Sequence, residues 1–430
     1  MKQTIENNPI GLKKSITWVR GSAVTVGGVL GAGILALPAI AAEMAGPASL
    51  VSWVLMGLFS LPMVIVIGMM SSRFPNSGGM ADYVERGFGK FIGHIAGILV
   101  VSAMPFGMPI TALIGANYLG SAFSWSSASI HIAAGLLILA AVMLNYMGVE
   151  LSGKVQVAVI SVIIMILTFT VGSSISQIKL SEFTPFVPNG WLEAGKAMNL
   201  LFFAFMGWEM VGHLAEEFYN PKRDIPVSIG AGFIIINIIY LSIAFVTVGS
   251  GVYKSGNSAT AMIDLISNRW GSSAGTIIAF LGFIICYCAV HTYIAGVSRL
   301  IYAQAREGNF PEVFAKLHPK YQSPYVALVS FIPLFIAILF FSFIFSWQLK
   351  ALLSIPSTTF LMVYILSMAA SVKVLPSRVG KISALISAVS CSIVFIFSGK
   401  FVLYPLMVFF ITFLIKKKYR SDILERSCHR

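Results

Sequence analysis

Two side chains in the middle of an apolar run are equipped to handle a proton. The stretch Phe202-Phe-Ala-Phe-Met-Gly207-Trp-Glu209-Met-Val-Gly-His213 places one carboxylate among aromatic and aliphatic neighbours. A charge at membrane depth costs at least about 2.5–3.5 kcal/mol on insertion scales, so Glu209 must face a cavity or a partner. It either carries a coupling proton or caps unwound backbone. His213 follows four residues later and shares its helix face. A carboxylate and an imidazole within reach can share a proton and titrate near neutrality. The alternative for His213 is a packing role at the end of the span.

The other chemistry lies in backbone. Gly27-Gly-Val29-Leu-Gly31-Ala32-Gly33-Ile-Leu-Ala-Leu-Pro38 puts four glycines in the first apolar run. Each weakens a helix by roughly 1 kcal/mol relative to Ala. Pro38 removes a further donor. Such a stretch either packs closely through the Gly27–Gly31 pair or unwinds and turns bare N–H groups toward a ligand. Gly207, beside Glu209, interrupts the sixth run in the same way, which favours unwinding.

The elements that position these groups follow from composition. Of 430 residues, 57% are hydrophobic and 10% charged, against about 25% charged in a soluble domain. A soluble enzyme, a disordered chain and a coiled coil are excluded. A β-barrel is excluded because the apolar runs are continuous rather than alternating. The chain reads as an all-α polytopic membrane protein with twelve transmembrane helices. They fall near 17–43, 48–72, 91–120, 130–149, 155–176, 193–217, 226–250, 273–303, 323–343, 349–371, 382–398 and 401–416. Pro105 and Pro109 are points where the third can kink.

The net charge of +13 would point to nucleic acid in a soluble chain. Here 23 of the 29 Lys and Arg fall on one side of the spans if the N-terminus is inside. Inside loops collect such residues, so both termini are expected in the cytoplasm. The partner is then the lipid bilayer of the cell membrane, with no nucleic acid. The segment 1–16 and the basic tail 417–430 flank the spans, and the tail either anchors the last span or touches anionic lipid. Nothing specifies an oligomeric state. The four cysteines form no disulfide framework. Cys286-Tyr-Cys288 lies at no zinc spacing, so neither a metal nor a cofactor is expected.

The interrupted spans are the first and the sixth, so the repeat is five spans long. Five is odd, and the second unit enters the membrane from the opposite side. Paired broken helices in two inverted repeats point to a secondary transporter with a central site. A half-helix N-terminus offers N–H groups and positive dipole to an anion. Free carbonyls can take an ammonium. An α-amino acid carries both groups about one carbon apart.

Weaker signals surround this centre. Asp82 and Glu85 can pair with Arg86 and Lys90 in a solvated loop after the second span. Glu216 and Glu217 precede Asn220-Pro-Lys-Arg-Asp224-Ile-Pro226 and can pair with Lys222, Arg223 or other basic loops. Arg299, Tyr302 and Arg306 end the eighth span and serve as an inside gate or as anchors. His291, one turn after Tyr287, is a hydrogen-bonded packing residue or a minor site candidate. A membrane enzyme would need a catalytic cluster, and neither a nucleophile elbow nor His-Glu-x-x-His is present. A pump would need a phosphate loop, and there is none.

Gly31-Ala-Gly33-Ile, Arg73-Phe-Pro…Gly78-Gly79, Phe203 to Glu209, Asn220-Pro…Asp224-Ile-Pro226 and Arg299…Tyr302-Ala-Gln-Ala-Arg306 occur in order along the chain. Together they resemble the amino acid–polyamine–organocation (APC) superfamily of transporters. The segment Gly207 to Pro221 is similar to that of bacterial exporters of methionine and branched-chain amino acids. The resemblance implies the five-plus-five inverted-repeat LeuT/APC fold: residues 17–176, then 193–371, with two extra C-terminal helices in 382–416. It implies that Gly31, Ala32 and Gly33 bind a substrate carboxylate through backbone N–H. It implies that Val29, Phe203, Ala204, Met206 and Gly207 receive the α-ammonium through carbonyls or line the pocket. Phe205 and Trp208 would act as hydrophobic gates. Ala32 stands where the family usually has Ser, so a hydroxyl contact is missing. The apolar pocket segments favour Met, Leu, Ile or Val over a cationic amino acid or polyamine, since a buried cation needs a facing charge. Export rests on the resemblance; uptake or exchange is the alternative direction. Proton coupling through Glu209, alone or with His213, is expected; sodium coupling or plain exchange is the alternative, since Val155–Val171 has no Lys of the kind that some sodium-independent relatives place where sodium would sit.

Overall fold

The structure is a computed structural model that describes residues 14–147, 153–255, 260–345 and 349–414. The segment before residue 14, the side chain of Lys154 and the tail 417–430, to which sequence reasoning assigned anchoring roles, lie outside the described residues. Among the described residues every regular element is a helix; extended pairing amounts to one bridge between Ile16 and Phe218.

Among the described residues, nine helical stretches are long and apolar enough to cross a membrane. Trp18–Arg73 is one of them, and it comprises α1 (Trp18–Val29), α2 (Gly31–Ala45) and α3 (Ser49–Arg73), with a tight turn over Gly46–Ala48. A short amphipathic helix, α4 (Met80–Phe88), follows. Then come α5 (Lys90–Phe123), α6 (Ser127–Tyr146) and α7 (Gly153–Ser174). The sixth apolar run is split into α8 (Trp191–Phe202) and α9 (Met210–His213). Next are α10 (Pro221–Ser250), the short α11 (Ala261–Trp270) and α12 (Ser272–Arg306). The chain ends in α13 (Tyr325–Phe345), α14 (Leu349–Val374), α15 (Arg378–Ile396) and the apolar helix α16 (Gly399–Leu414).

Each apolar run expected from the sequence is thus helical, but two short helices were not anticipated. α4 is the informative one. Its Asp82 is buried and pairs with Arg86 at 2.7 Å. The expectation of a solvated loop is corrected: Met80, Ala81, Tyr83 and Val84 bury one face of α4 and carry Asp82 in with them. Burial holds the Asp82 carboxyl above the ordinary carboxylate range, against the pull of Arg86. Glu216 and Glu217 pair with Arg306 (3.0 Å) and Arg299, not with the nearby Lys222 and Arg223. Pro105 and Pro109 are accommodated inside one 34-residue helix.

One apolar core runs through the bundle. Its middle is the split sixth run, α1 and α2, wrapped by α3, α5, α10, α12 and α14. On the outside, Leu58, Leu136, Met165, Ile238 and Phe340 are exposed. A soluble protein rarely shows so continuous an apolar exterior; a bilayer covers it.

Candidate functional site

The sixth run breaks over residues 203–209. A break in hydrocarbon is tolerated only where the freed backbone groups find partners or line a cavity. Gly207 adopts φ +118°, and a Cβ there would lie 2.9 Å from the carbonyl carbon and oxygen of Gly28. A side chain is excluded on both counts. The Gly207 N–H donates to Glu209 Oε2 at 2.9 Å. The Tyr364 hydroxyl of α14 donates to the same oxygen at 2.5 Å, and the Tyr293 hydroxyl of α12 to Oε1 at 3.0 Å. Glu209 is 1% exposed. Its carboxylate is held by three donors and no cation, and it ties the break to two neighbouring helices.

The first run breaks less. Leu30 alone leaves the helix, and its N–H still reaches Val26 O. α2 then restarts at Gly31, so Gly31, Ala32 and Gly33 form its first turn. The leading N–H groups of a helix lack intrahelical acceptors and carry the positive end of the dipole. Gly33 allows the two breaks to touch: a Cβ there would meet Ala204 Cα at 2.6 Å. The Tyr240 hydroxyl of α10 sits between them, 2.6 Å from Val29 O and 2.9 Å from Ala204 O. It has one hydrogen for two carbonyls, so it is shared between them.

These segments line a small central cavity. Gly31, Ala32 and Gly33 form one wall; Phe203 and Met206 form another. Met104 and Met108 of α5 and Phe360 of α14 close it, and Thr111 and Tyr293 supply its polar side chains. No charged side chain lines it among the described residues. Its centre has room for about one water, so an amino acid enters only as the lining moves. Tyr293 both lines the cavity and bonds Glu209, which connects the two.

The residues singled out from the sequence sort into three groups. Val29, Gly31, Ala32, Gly33, Phe203 and Met206 line the cavity. Ala204 and Gly207 stand just behind it. The carbonyls of Val29 and Ala204, expected to receive an ammonium or to line the pocket, share the one Tyr240 hydroxyl hydrogen, and Val29 lines the cavity. Phe205 and Trp208 do not line this central cavity. Phe205 packs on Trp53 and Tyr240, and Trp208 on Phe233, both facing away toward α3 and α10. The gate role finds no support in that placement. His213 does not pair with Glu209. Its Nδ1 lies 3.1 Å from Ser77 O, under the Gly79 turn, because α9 is too short and too tightly enclosed to present both side chains to one another. His291 bonds Asn145 at 3.1 Å, as a packing residue would.

Tyr240, Tyr293 and Tyr364 were missed. Their signal was present: a tyrosine buried in an apolar span needs a partner for its hydroxyl, and few acceptors exist there.

A helical bundle with an apolar exterior, two broken helices meeting at its centre and a small cavity between them defines a membrane transporter. The amino acid permease family model matches residues 16–421, and the chain belongs to that family, within the APC superfamily. It is 37% identical over 395 residues to the uncharacterized amino acid permease YecA of Bacillus subtilis, covering 92% of this chain and 93% of that one. It is 26% identical over 402 residues to the L-methionine/branched-chain amino acid exporter YjeH of Escherichia coli, covering 93% and 95%. Among solved structures it resembles a manganese transporter of Eremococcus coleocola, at TM-score 0.60 and 11% identity over 94% of this chain and 95% of that one. That likeness concerns the fold alone.

Proposed function

We propose that the protein is a secondary active transporter that exports apolar amino acids, methionine, leucine, isoleucine and valine, across the cell membrane by alternating access. Twelve crossings in two inverted sets of five plus two C-terminal helices carry it, with both termini in the cytoplasm. The single observation that supports this most is the central cavity. It pairs the first-turn amides of α2, suited to a carboxylate, with Met, Phe and Ala side chains suited to an aliphatic tail. A cationic side chain would find no facing charge among the described lining residues. The likeness to an exporter supports the direction.

A proton is the coupling ion, and Glu209 alone carries it. The bare carboxylate accepts from Gly207, Tyr293 and Tyr364, drawing α12 and α14 onto the break. Protonation turns one acceptor oxygen into a donor, so one tyrosine must reverse its bond or leave. Tyr293 would pass that change to the cavity wall.

The test is efflux from proteoliposomes loaded with labelled leucine, with a proton gradient and no sodium. Gradient-driven efflux, competed by methionine, is expected. Glu209→Gln keeps the shape and removes the titration, so it should retain leucine binding and lose the response to the gradient. Unchanged gradient-driven transport in Glu209→Gln would sink the coupling role. Absence of leucine or methionine transport by folded protein would sink the substrate assignment.

A further inference from the structure

A second cavity, larger than the central one, opens beside it. Its polar end is built where the chain enters α1. Ser15 and Ile16 donate backbone N–H groups to Glu217 O at 2.8 and 3.0 Å, and Tyr219 N–H returns to Ile16 O at 3.0 Å. This pins the chain before α1 to the chain after α9. Arg20, Arg299 and Glu217 face the cavity there. Glu217 is neutralised by Arg299. Arg20 donates one bond, Nη1 to Ser15 O at 2.6 Å. A guanidinium has five N–H donors, so this cavity wall carries a surplus positive charge with donors to spare. Val24, Val159, Leu214 and Ala295 form an apolar wall, and Asn145, Tyr287, Cys288, His291 and Thr292 line the rest.

The inner end adjoins the central site. Thr292 lines the large cavity, and its Cγ2 lies 3.4 Å from the Cβ position of Gly28, which lines the central one. Thr292 spends its hydrogen on Cys288 O at 2.9 Å, which leaves its oxygen as an acceptor.

We propose that this cavity is a second binding station for an apolar α-amino acid. Arg20 takes the carboxylate at the polar end, and the aliphatic tail points inward along Val24, Val159, Leu214 and Ala295, toward Thr292 and Gly28. The proposal rests on the transport reading above. It adds that the substrate is held once on the N-terminal face before it passes Gly28 into the central site. A bidentate guanidinium–carboxylate contact gives this station its selectivity for a free carboxylate.

Binding stoichiometry tests it. With labelled leucine and purified full-length protein in detergent, two leucines per chain are expected. Arg20→Gln should reduce this to one, and Arg20→Lys should restore the second at about tenfold weaker affinity, since a point charge replaces the fork. Ala295→Trp fills the apolar part from α12 without touching Arg20, and it should give the same loss. Cys288 lines this cavity while Cys286 and Cys391 are buried, so a maleimide reports on it directly in a Cys428→Ser background. Leucine should slow its alkylation about tenfold or more in the parent and little in Arg20→Gln. One leucine per chain in the parent, unchanged by Arg20→Gln, overturns the station and leaves the transporter standing. Zero leucine bound by folded parent overturns both. Protection of Cys288 by a fatty acid and by no amino acid overturns the ligand assigned here.

Discussion

The two broken segments began as equals in the sequence and differ in the fold. At the first, one residue leaves the helix and Leu30 keeps its bond to Val26. At the second, residues 203–209 all leave it, and Gly207 takes a backbone conformation that other residues resist. Glycine content does not explain this, because the first segment has more glycine. The carboxylate does. Glu209 supplies the acceptor for a freed N–H, and two tyrosines fix it in place. A break in hydrocarbon spreads as far as its polar groups can be satisfied, since each one left bare costs several kcal/mol. The first segment carries no acidic side chain of its own and stays a kink. Its exposed amides make it the better anion site, while the second makes the better switch.

The largest expected effect breaks the second segment outright. Glu209→Ala leaves the Gly207 N–H and two tyrosine hydroxyls without an acceptor, at about 1–3 kcal/mol each. Melting in detergent should fall sharply, and efflux should be lost. Retained stability would show that the break does not depend on its carboxylate.

Gly207→Ala comes next. It combines a disfavoured φ with a contact to the Gly28 backbone, and the strain alone is worth about 1–3 kcal/mol. The paired variant Gly28→Ala sharpens the contrast. Its Cβ meets Thr292 Cγ2 at 3.4 Å, an ordinary contact, and the first segment remains nearly helical. Its stability should stay within about 1 kcal/mol of the parent. Equal losses in the two variants would erase the asymmetry.

Tyr240→Phe lies between them in meaning. It strips the hydroxyl shared by Val29 O and Ala204 O and so loosens both segments together, by about 1–2 kcal/mol. Leucine affinity should fall with it, because the amides of α2 and the Phe203 wall no longer hold one spacing. A drop in stability with unchanged affinity would show that Tyr240 supports only the bundle. Smallest of all is Trp208→Phe. The indole is fully buried with its N–H lacking a hydrogen-bond partner, so removing that N–H offsets part of the cost of the void left by the smaller ring; stability to melting should fall by about 1 kcal/mol or less, with transport intact. Transport abolished by this change would support the gate role for Trp208.

Much of the architecture could be read before any coordinates. Apolar runs of membrane length mark the helices, and desolvation singles out Glu209 whatever surrounds it. Both signals are local: they depend on a window of chain and on the cost of taking charge from water. The glycines of the first run mark where a helix can break, and the role of the amides at Gly31 to Gly33 comes from the family resemblance. The partners were not legible. Tyr293 and Tyr364 reach Glu209 across 84 and 155 residues of sequence, and Arg299 reaches Glu217 across 82. His213 was assigned to Glu209 by helical spacing, yet the helix there lasts four residues and the ring turns to Ser77. The faces of Phe205 and Trp208 were likewise decided by what α3 and α10 present to them. Composition and periodicity determine that this chain is a bundle of membrane helices with a carboxylate at its heart. Which groups meet that carboxylate, and which walls bound the cavity, is decided by how the helices rotate against one another, because side-chain facing is set by packing between distant segments rather than by spacing within one.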